Sequence, residues 1–256
     1  MKNTLKVATW NIGSLYADYA VNWPYLQQML RSQTVDVLCM QEVPHEEELL
    51  QAICDVGGFS YSLFQITSIS HIHKGHDMGV AVFSRFPIKA LQTIHLDKPT
   101  VPIAYQGKTE VWHDKYFLAF VCHLAEQKVA MVTGHGFPFH RYGLENEGNY
   151  GIIQPSFVQL DKWVEELPDD TRLLCMAADF NLATPLRFMP YCRQHFRDVF
   201  QDEATRPSGR KTDAVLIPHG VRAVEKTNIL PPWKHATADN PRGIFDHNFI
   251  AAELQW

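Results

Sequence analysis

The sequence predicts an α/β chain with mixed sheets, two of them packed face to face and covered by helices, in one domain over residues 1–256. Three observations carry this. Short continuous apolar runs, such as Leu173–Ala178 and Val35–Met40, have the length and make-up of strands buried on both faces. Helical stripes alternate with such runs through both halves of the chain. The link Ala125–Lys128 between two strand-like runs is too short for a parallel crossover, and a second hairpin falls near the C-terminus, so antiparallel pairs must be present as well. With 46% hydrophobic and 20% charged residues among 256, the chain can bury a large core.

Lys6–Asn11 reads as a strand ending on a carboxamide. Asn22 before Trp23–Pro24 reads as a helix cap with proline in the first turn, and Tyr25, Leu26, Met29 and Leu30 mark one helical face. Val35–Met40 leads into Gln41–Glu42, where Glu42 is either a strand-tip ligand or a surface acid. Glu46–Val56 carries Leu49, Leu50 and Ile53 at helical spacing and stops at Gly57–Gly58. A sheet edge is expected at Tyr61–Gln65, then a loop over Thr67–Asp77 containing His71, His73 and His76. No cysteine or carboxylate stands at a zinc-like spacing around those histidines, so a rim loop fits better than a zinc centre.

Strands are expected at Gly79–Ser84, Ala90–Leu96, Tyr116–His123 and Val129–Thr133. The last runs into Gly134–His135–Gly136, where the glycines allow close approach to a ligand, although a histidine between glycines also suits plain loop punctuation. Phe139–Ile153 is the longest irregular stretch and could cover a pocket. Phe157, Leu160, Trp163, Val164 and Leu167 then recur at helical spacing up to Pro168. Leu173–Ala178 is the central strand. At its tip, Asp179 and Asn181 suit both a site on a rigid floor and a polar turn. Thr205–Arg210 is a polar turn, Thr212–Ile217 a strand with Asp213 at its start, and Asp246–His247 precede the final strand.

The formal net charge of −5, with no long run of Lys and Arg, argues against broad electrostatic capture of a polyanion. Lys74, Arg85, Arg141, Arg206, Arg210 and Lys211 fall in or beside the pocket-end segments. The cysteines number five, an odd count without a Cys-x-x-Cys pair, and three lie in apolar runs; a reducing compartment fits. The N-terminus leads into a strand without a long apolar leader, and no stretch approaches membrane-spanning length, so a cytoplasmic protein is expected.

The polar strand-end groups are Asn11, Glu42, His135, Asp179, Asn181, Asp213, Asp246 and His247: hard oxygen donors and imidazoles, with no thiolate. Such a set suits magnesium, or manganese in its place, held by Glu42, Asn11 and Asp246. The other groups remain for proton transfer and orientation, the division of labour that phosphoester hydrolysis needs.

Trp10–Asn11, Gln41–Glu42, Gly79 with Ser84–Pro87, Gly134–His135, Ala178–Asn181, Thr212–Asp213 and Asp246–His247, in this order along nearly the whole chain, resemble the endonuclease/exonuclease/phosphatase superfamily, the DNase I-like fold. The resemblance implies a four-layered α/β sandwich with the pocket at one end of two central sheets. It implies that Asn11 and Glu42 are metal-site residues, that Asp179 positions or deprotonates the attacking water, and that Asn181 holds a phosphate oxygen. Asp213 and His247 correspond to a carboxylate–imidazole dyad, Asp246 lies beside the metal, and His135 corresponds to a second histidine facing the leaving oxygen.

The chain departs from the pattern at three places. Ala178 stands for the usual Gly, a small change; Phe245 stands for the usual Ser, a larger one at the pocket wall; and Val43–Pro44–His45 follows Gln41–Glu42 where abasic-site repair members carry a lysine. The expected activity is a metal-dependent phosphodiesterase, with a nuclease among the readings. A small-molecule or lipid-headgroup phosphatase is the alternative, and a scaffold that lost its chemistry is the alternative of another class.

Overall fold

The structure is a computed structural model describing residues 3–13, 15–69, 77–105, 107–168, 170–231 and 245–256. His71, His73, His76 and Lys74 lie outside these residues. Side chains alternate between the two faces of each central strand, and both faces are covered. In β1 (Thr4–Asn11) and β2 (Val37–Pro44), Leu5, Val7, Val37 and Cys39 join one apolar cluster while Ala8, Trp10, Leu38 and Met40 join another. A strand covered on both sides needs no polar face, and this is why the sequence shows unbroken apolar runs there.

One sheet has the order β13 (Arg222–Ile229), β14 (Phe249–Gln255), β1, β2, β4 (Asp77–Ser84), β3 (Tyr61–Ile69). The other runs β11 (Phe196–Asp198), β12 (Asp213–Pro218), β10 (Arg172–Asp179), β9 (Lys128–Gly134), β8 (Tyr116–His123), β5 (Ile88–His95). Each contains one parallel pair, β1 with β2 and β9 with β10, among antiparallel neighbours. A short hairpin, β6 (Ile103–Tyr105) and β7 (Lys108–Glu110), stands apart.

Val7, Val37 and Val82 meet Phe120, Met131 and Val215 between the sheets. Helices α1 (Tyr19–Ser32) and α2 (Glu47–Gly57) cover the first sheet through Leu26, Met29 and Ile53. Helices α3 (Tyr150–Glu165) and α4 (Pro190–His195) cover the second through Phe157, Leu160 and Cys192. The result is the expected four-layered sandwich, α over β over β over α. All five cysteines are buried free thiols, and burial pushes Cys39 up to about 12, so it behaves as a core residue.

Several boundaries differ from expectation. Asn22 is not a cap: α1 begins at Tyr19, Asn22 is buried inside it with its Nδ2 donating to the Leu15 carbonyl at 3.3 Å, and Pro24 also stands within the helix. The Thr67 and Ser68 part of the expected loop belongs to β3, where the Thr67 hydroxyl donates to the Met78 carbonyl across the pair. The irregular stretch after Phe139 is shortened by two 3-10 turns and by α3, whose stripe of Ile153, Phe157, Leu160 and Val164 starts earlier than the expected helix. Nor does β2 stop at Glu42. It continues to Pro44 through a bulge between Met40 and Val43, and Glu42 sits in the left-handed region with φ 54°.

Candidate active site

The strand registers bring the polar tips to one end of the sandwich. Asn11 pairs with Gln41 at the close of the parallel β1–β2 ladder. Asp179 stands opposite Asp213 and bridges to His135 just beyond β9. Behind this floor the buried Gln41 joins the two sheets, its Nε2 donating to Thr9 Oγ1 at 2.9 Å and to Thr133 Oγ1 at 3.2 Å. Gly136 must be glycine for the floor to close, because a Cβ there would stand 2.3 Å from the Phe180 carbonyl oxygen.

Asp179 is the centre. Its Oδ1 accepts the Asn181 N–H at 2.8 Å and its Oδ2 accepts Asn11 Nδ2 at 2.9 Å. His135 Nε2 approaches the same Oδ2 to 3.6 Å and Glu42 Oε1 to 3.5 Å, while His247 Nε2 lies 3.8 Å from Asp179 Oδ2. Burial, and then the neighbouring Asp213 charge, raise the Asp179 carboxyl to about 6. Such a carboxylate is a stronger base than an exposed one.

Behind His247 stands Asp213, whose two oxygens lie 3.1 and 3.0 Å from Nδ1. Asp213 Oδ2 also accepts the hydroxyls of Thr205 (2.8 Å) and Thr212 (2.9 Å), so the carboxylate is fixed before it fixes the ring. Burial works against charge on His247, but Asp213 and Asp179 outweigh it and raise the ring to about 9. At neutral pH the arrangement favours an imidazolium beside the Asp179 carboxylate.

The floor therefore gathers Asn11, Glu42, His135, Asp179, Asn181, Asp213 and His247. Asp246 is placed differently from the rest. Its carboxylate is paired with Arg206 Nη2, and Arg206 Nε donates to its carbonyl at 3.0 Å, on the wall of a cavity of about 530 Å³. Among the described residues, Asp179, Asp213 and His247 form a buried group whose ligand-type atoms all lie within 4.8 Å of one another. Glu42 offers a hard oxygen on the cavity surface, which suits a divalent cation. Asn11 is engaged at both ends of its amide, with Oδ1 accepting the Gly13 N–H at 2.9 Å.

Of the expected pocket-end cations, Arg141 and Arg206 line the cavity. Arg85 does not: it donates to the Val35 and Gly57 carbonyls behind the other end of β2. Lys211 pairs with Asp198. Phe245, expected at the pocket wall, instead packs edge-on against Trp10 at 4.8 Å in the cluster under α1. There Trp10 Nε1 donates to the His247 carbonyl at 3.3 Å, so this packing carries the histidine segment.

Sequence reasoning missed Lys115, Thr205 and His140. Lys115 directly precedes β8 and reads as an ordinary polar flank until the β8–β9 register sets it beside His135. Thr205 reads as part of a turn. Burial, then Arg206 and Arg210, push His140 down to about 4, giving a neutral imidazole on the cavity wall.

An oxygen-rich floor with two imidazoles aimed at one buried carboxylate stands at the end of this sandwich, and the family match places the protein among phosphoester hydrolases. A model described as the endonuclease/exonuclease/phosphatase family matches residues 8–247, and the chain belongs to that family, whose enzymes generally use divalent metals. No curated protein matches by sequence. Among solved structures, an endonuclease/exonuclease/phosphatase from Beutenbergia cavernae DSM 12333 is 17% identical over 98% of this chain and 71% of its own, with a TM-score of 0.65. ANGEL2, described as a 2',3'-cyclic phosphatase, is 13% identical over 99% and 96%, with a TM-score of 0.66. A humanized D. rerio TDP2 is 17% identical over 98% of both chains, with a TM-score of 0.63. At these identities the structures speak for the fold.

Proposed function

We propose that the chain, acting as one domain, is a phosphodiesterase dependent on magnesium or manganese, and that its substrates are compact diesters. The observation that carries this reading is the line Asp213–His247–Asp179, in which a fixed carboxylate orients an imidazole toward a second, buried carboxylate. Glu42, with Asn11 beside it on the floor, would hold the cation, and Asp246, paired with Arg206 on the same cavity, would join them only by exchanging that partner; when bound, the cation supplies charge neutralisation at the phosphate. Asp179 orients the attacking water and takes its proton. His247 presents a positive Nε2–H to a phosphate oxygen, Asn181 holds another, and His135 meets the leaving oxygen.

A cavity of about 530 Å³, walled in part by Trp112 and Tyr142 and lined among the described residues by Lys115, Arg141 and Arg206 as its Lys and Arg side chains, favours a compact diester over a long duplex. ANGEL2 is a 2',3'-cyclic phosphatase, and a 2',3'-cyclic phosphate is a compact diester of this kind. Five buried thiols agree with a reducing cytoplasm, and among the described residues no helix is long and apolar enough to cross a membrane.

Purified protein should be assayed against 2',3'-cyclic nucleotides, bis-nitrophenyl phosphate, headgroup phosphoesters and DNA, with and without chelator. The expected result is metal-restored cleavage of the compact diesters. Full activity in excess chelator, or turnover of DNA alone, would overturn the proposal.

A further inference from the structure

Lys115 is buried in the cavity wall with 7% of its surface exposed. An ammonium so placed must replace lost hydration with acceptors. Among the described residues its hydrogen-bond partner is an imidazole rather than a carboxylate: Nζ lies 3.1 Å from His135 Nδ1. Burial lowers its proton affinity, and Glu42 and Asp179 oppose that from further away.

This contact determines the state of the ring. An ammonium carries donors only, so its bond requires a lone pair on Nδ1, and a neutral ring with that lone pair holds its proton on Nε2. At the other side of the ring, Nε2 faces Glu42 Oε1 at 3.5 Å and Asp179 Oδ2 at 3.6 Å, both acceptors. The ammonium thus sets the tautomer, and the two carboxylates favour the same one by charge rather than by a hydrogen bond. Turning the ring over would set carbon atoms against the ammonium and against both carboxylates, losing every one of these contacts.

We infer that Lys115 is a positioning residue that holds His135 as the neutral tautomer with Nε2–H directed at the cavity floor, where it donates to the leaving oxygen. The inference rests on the reading of His135 given above. As the phosphorus–oxygen bond breaks, its electron pair goes to the departing oxygen. Nε2–H stabilises that oxygen by a hydrogen bond, and the oxygen takes its proton from solvent water, so the ring keeps its own. The positive charge behind Nδ1 makes Nε2–H a stronger donor.

The test has a spectroscopic arm and a kinetic arm. In metal-free, 15N-labelled protein, the His135 ring should show Nε2 protonated and Nδ1 unprotonated. Lys115→Met, which leaves the carboxylates facing Nε2 but removes the donor at Nδ1, should let Nδ1 take up a proton, whereas Lys115→Gln, which keeps an N–H donor, should keep Nδ1 unprotonated. A wild-type ring protonated on Nδ1 overturns the inference even if no variant folds.

In the kinetic arm, Lys115→Met should slow poor-leaving-group diesters by on the order of ten- to a hundredfold, with little effect on nitrophenyl esters. The double variant with His135→Ala should be no slower than His135→Ala alone. Multiplicative losses would show that Lys115 acts on substrate directly and refute a positioning role. If His135→Ala slows good and poor leaving groups alike while the tautomer still depends on Lys115, the leaving-oxygen reading of His135 fails and the placement of the ring stands.

Discussion

Replacing Asp213 with Asn tests the dyad through both stability and rate. Asn can still accept from Thr205 and Thr212 but removes the charge that His247 sees 3.0 Å away. In the native protein His247 is raised from 6.5 to about 9 against the pull of burial. A ring whose folded value is raised contributes stability that is fully present below about 6.5 and is lost as pH rises through about 9. At about 1.4 kcal/mol per pH unit, that interval corresponds to about 3 kcal/mol. Asp213 also raises Asp179, and relieving that repulsion returns part of the loss. The net destabilisation of Asp213→Asn in chelated protein at pH 7 should therefore be on the order of 1–2 kcal/mol. It should shrink above pH 9, where the native ring is neutral as well.

Urea unfolding at pH 6, 7.5 and 9.5 measures this directly. In parallel, the rate with a nitrophenyl diester should fall by roughly three to four orders of magnitude, the range for a carboxylate that orients a working imidazole. A folded variant whose stability deficit is the same at all three pH values would show that His247 is not charged by Asp213. The account of the dyad would then be wrong.

The other predictions concern metal, coupling, strain and charge. Glu42→Ala should raise the metal concentration needed for half activity sharply, and Gly13→Ala should do so less, because a Cβ at residue 13 would stand 1.9 Å from Glu42 Oε2; metal titration of both variants checks this. Asp179→Asn combined with His247→Ala should be little slower than the worse single variant, and strictly multiplicative kinetics would separate their roles. Glu42→Gly should lose activity while matching or exceeding native stability in a urea melt, since glycine occupies φ 54° without strain. Duplex DNA binding by Asp179→Asn, at fixed metal, should show a salt slope for roughly three phosphates or fewer; a slope for six or more would reveal a basic track outside the cavity.

Most of the layering was legible because central strands covered on both sides leave unbroken apolar runs, as in Val35–Met40 and Leu173–Ala178. The tips of those runs were legible for the same reason, since a polar residue ending a buried strand contrasts with what precedes it. Asn11 and Asp179 were found that way, whereas Asp213 and His247 stood out as polar residues at or just before the start of an apolar strand. What stayed hidden depended on register and side-chain reach. Lys115 acquires meaning only when β8 is set against β9, and Thr205 only when its turn folds under Asp213. Asp246 looked like a free ligand because nothing in its neighbourhood of sequence announces Arg206, forty residues earlier.

Asp179–Asn181 suited both a site and a turn in sequence, and the structure shows why the two readings cannot be separated. Among the described residues, the non-glycine positions with positive φ are Glu42 and Asn181, both at 54° and both on the cavity. Each such residue costs on the order of 1–3 kcal/mol, which its surroundings must offset to hold it there. Asn181 is held by two bonds, its N–H to Asp179 Oδ1 and its Nδ2 to the Gly136 carbonyl. The tight reversal after β10 is thus what folds the Asn181 amide back onto the Asp179 carboxylate. Glu42 is held by the β2 bulge, which keeps its carboxylate on the cavity while the strand continues toward Pro44. The turn propensity of Asn and the chemistry of the site are one arrangement, and the strain lies at the places where strand geometry alone would have aimed the side chains elsewhere.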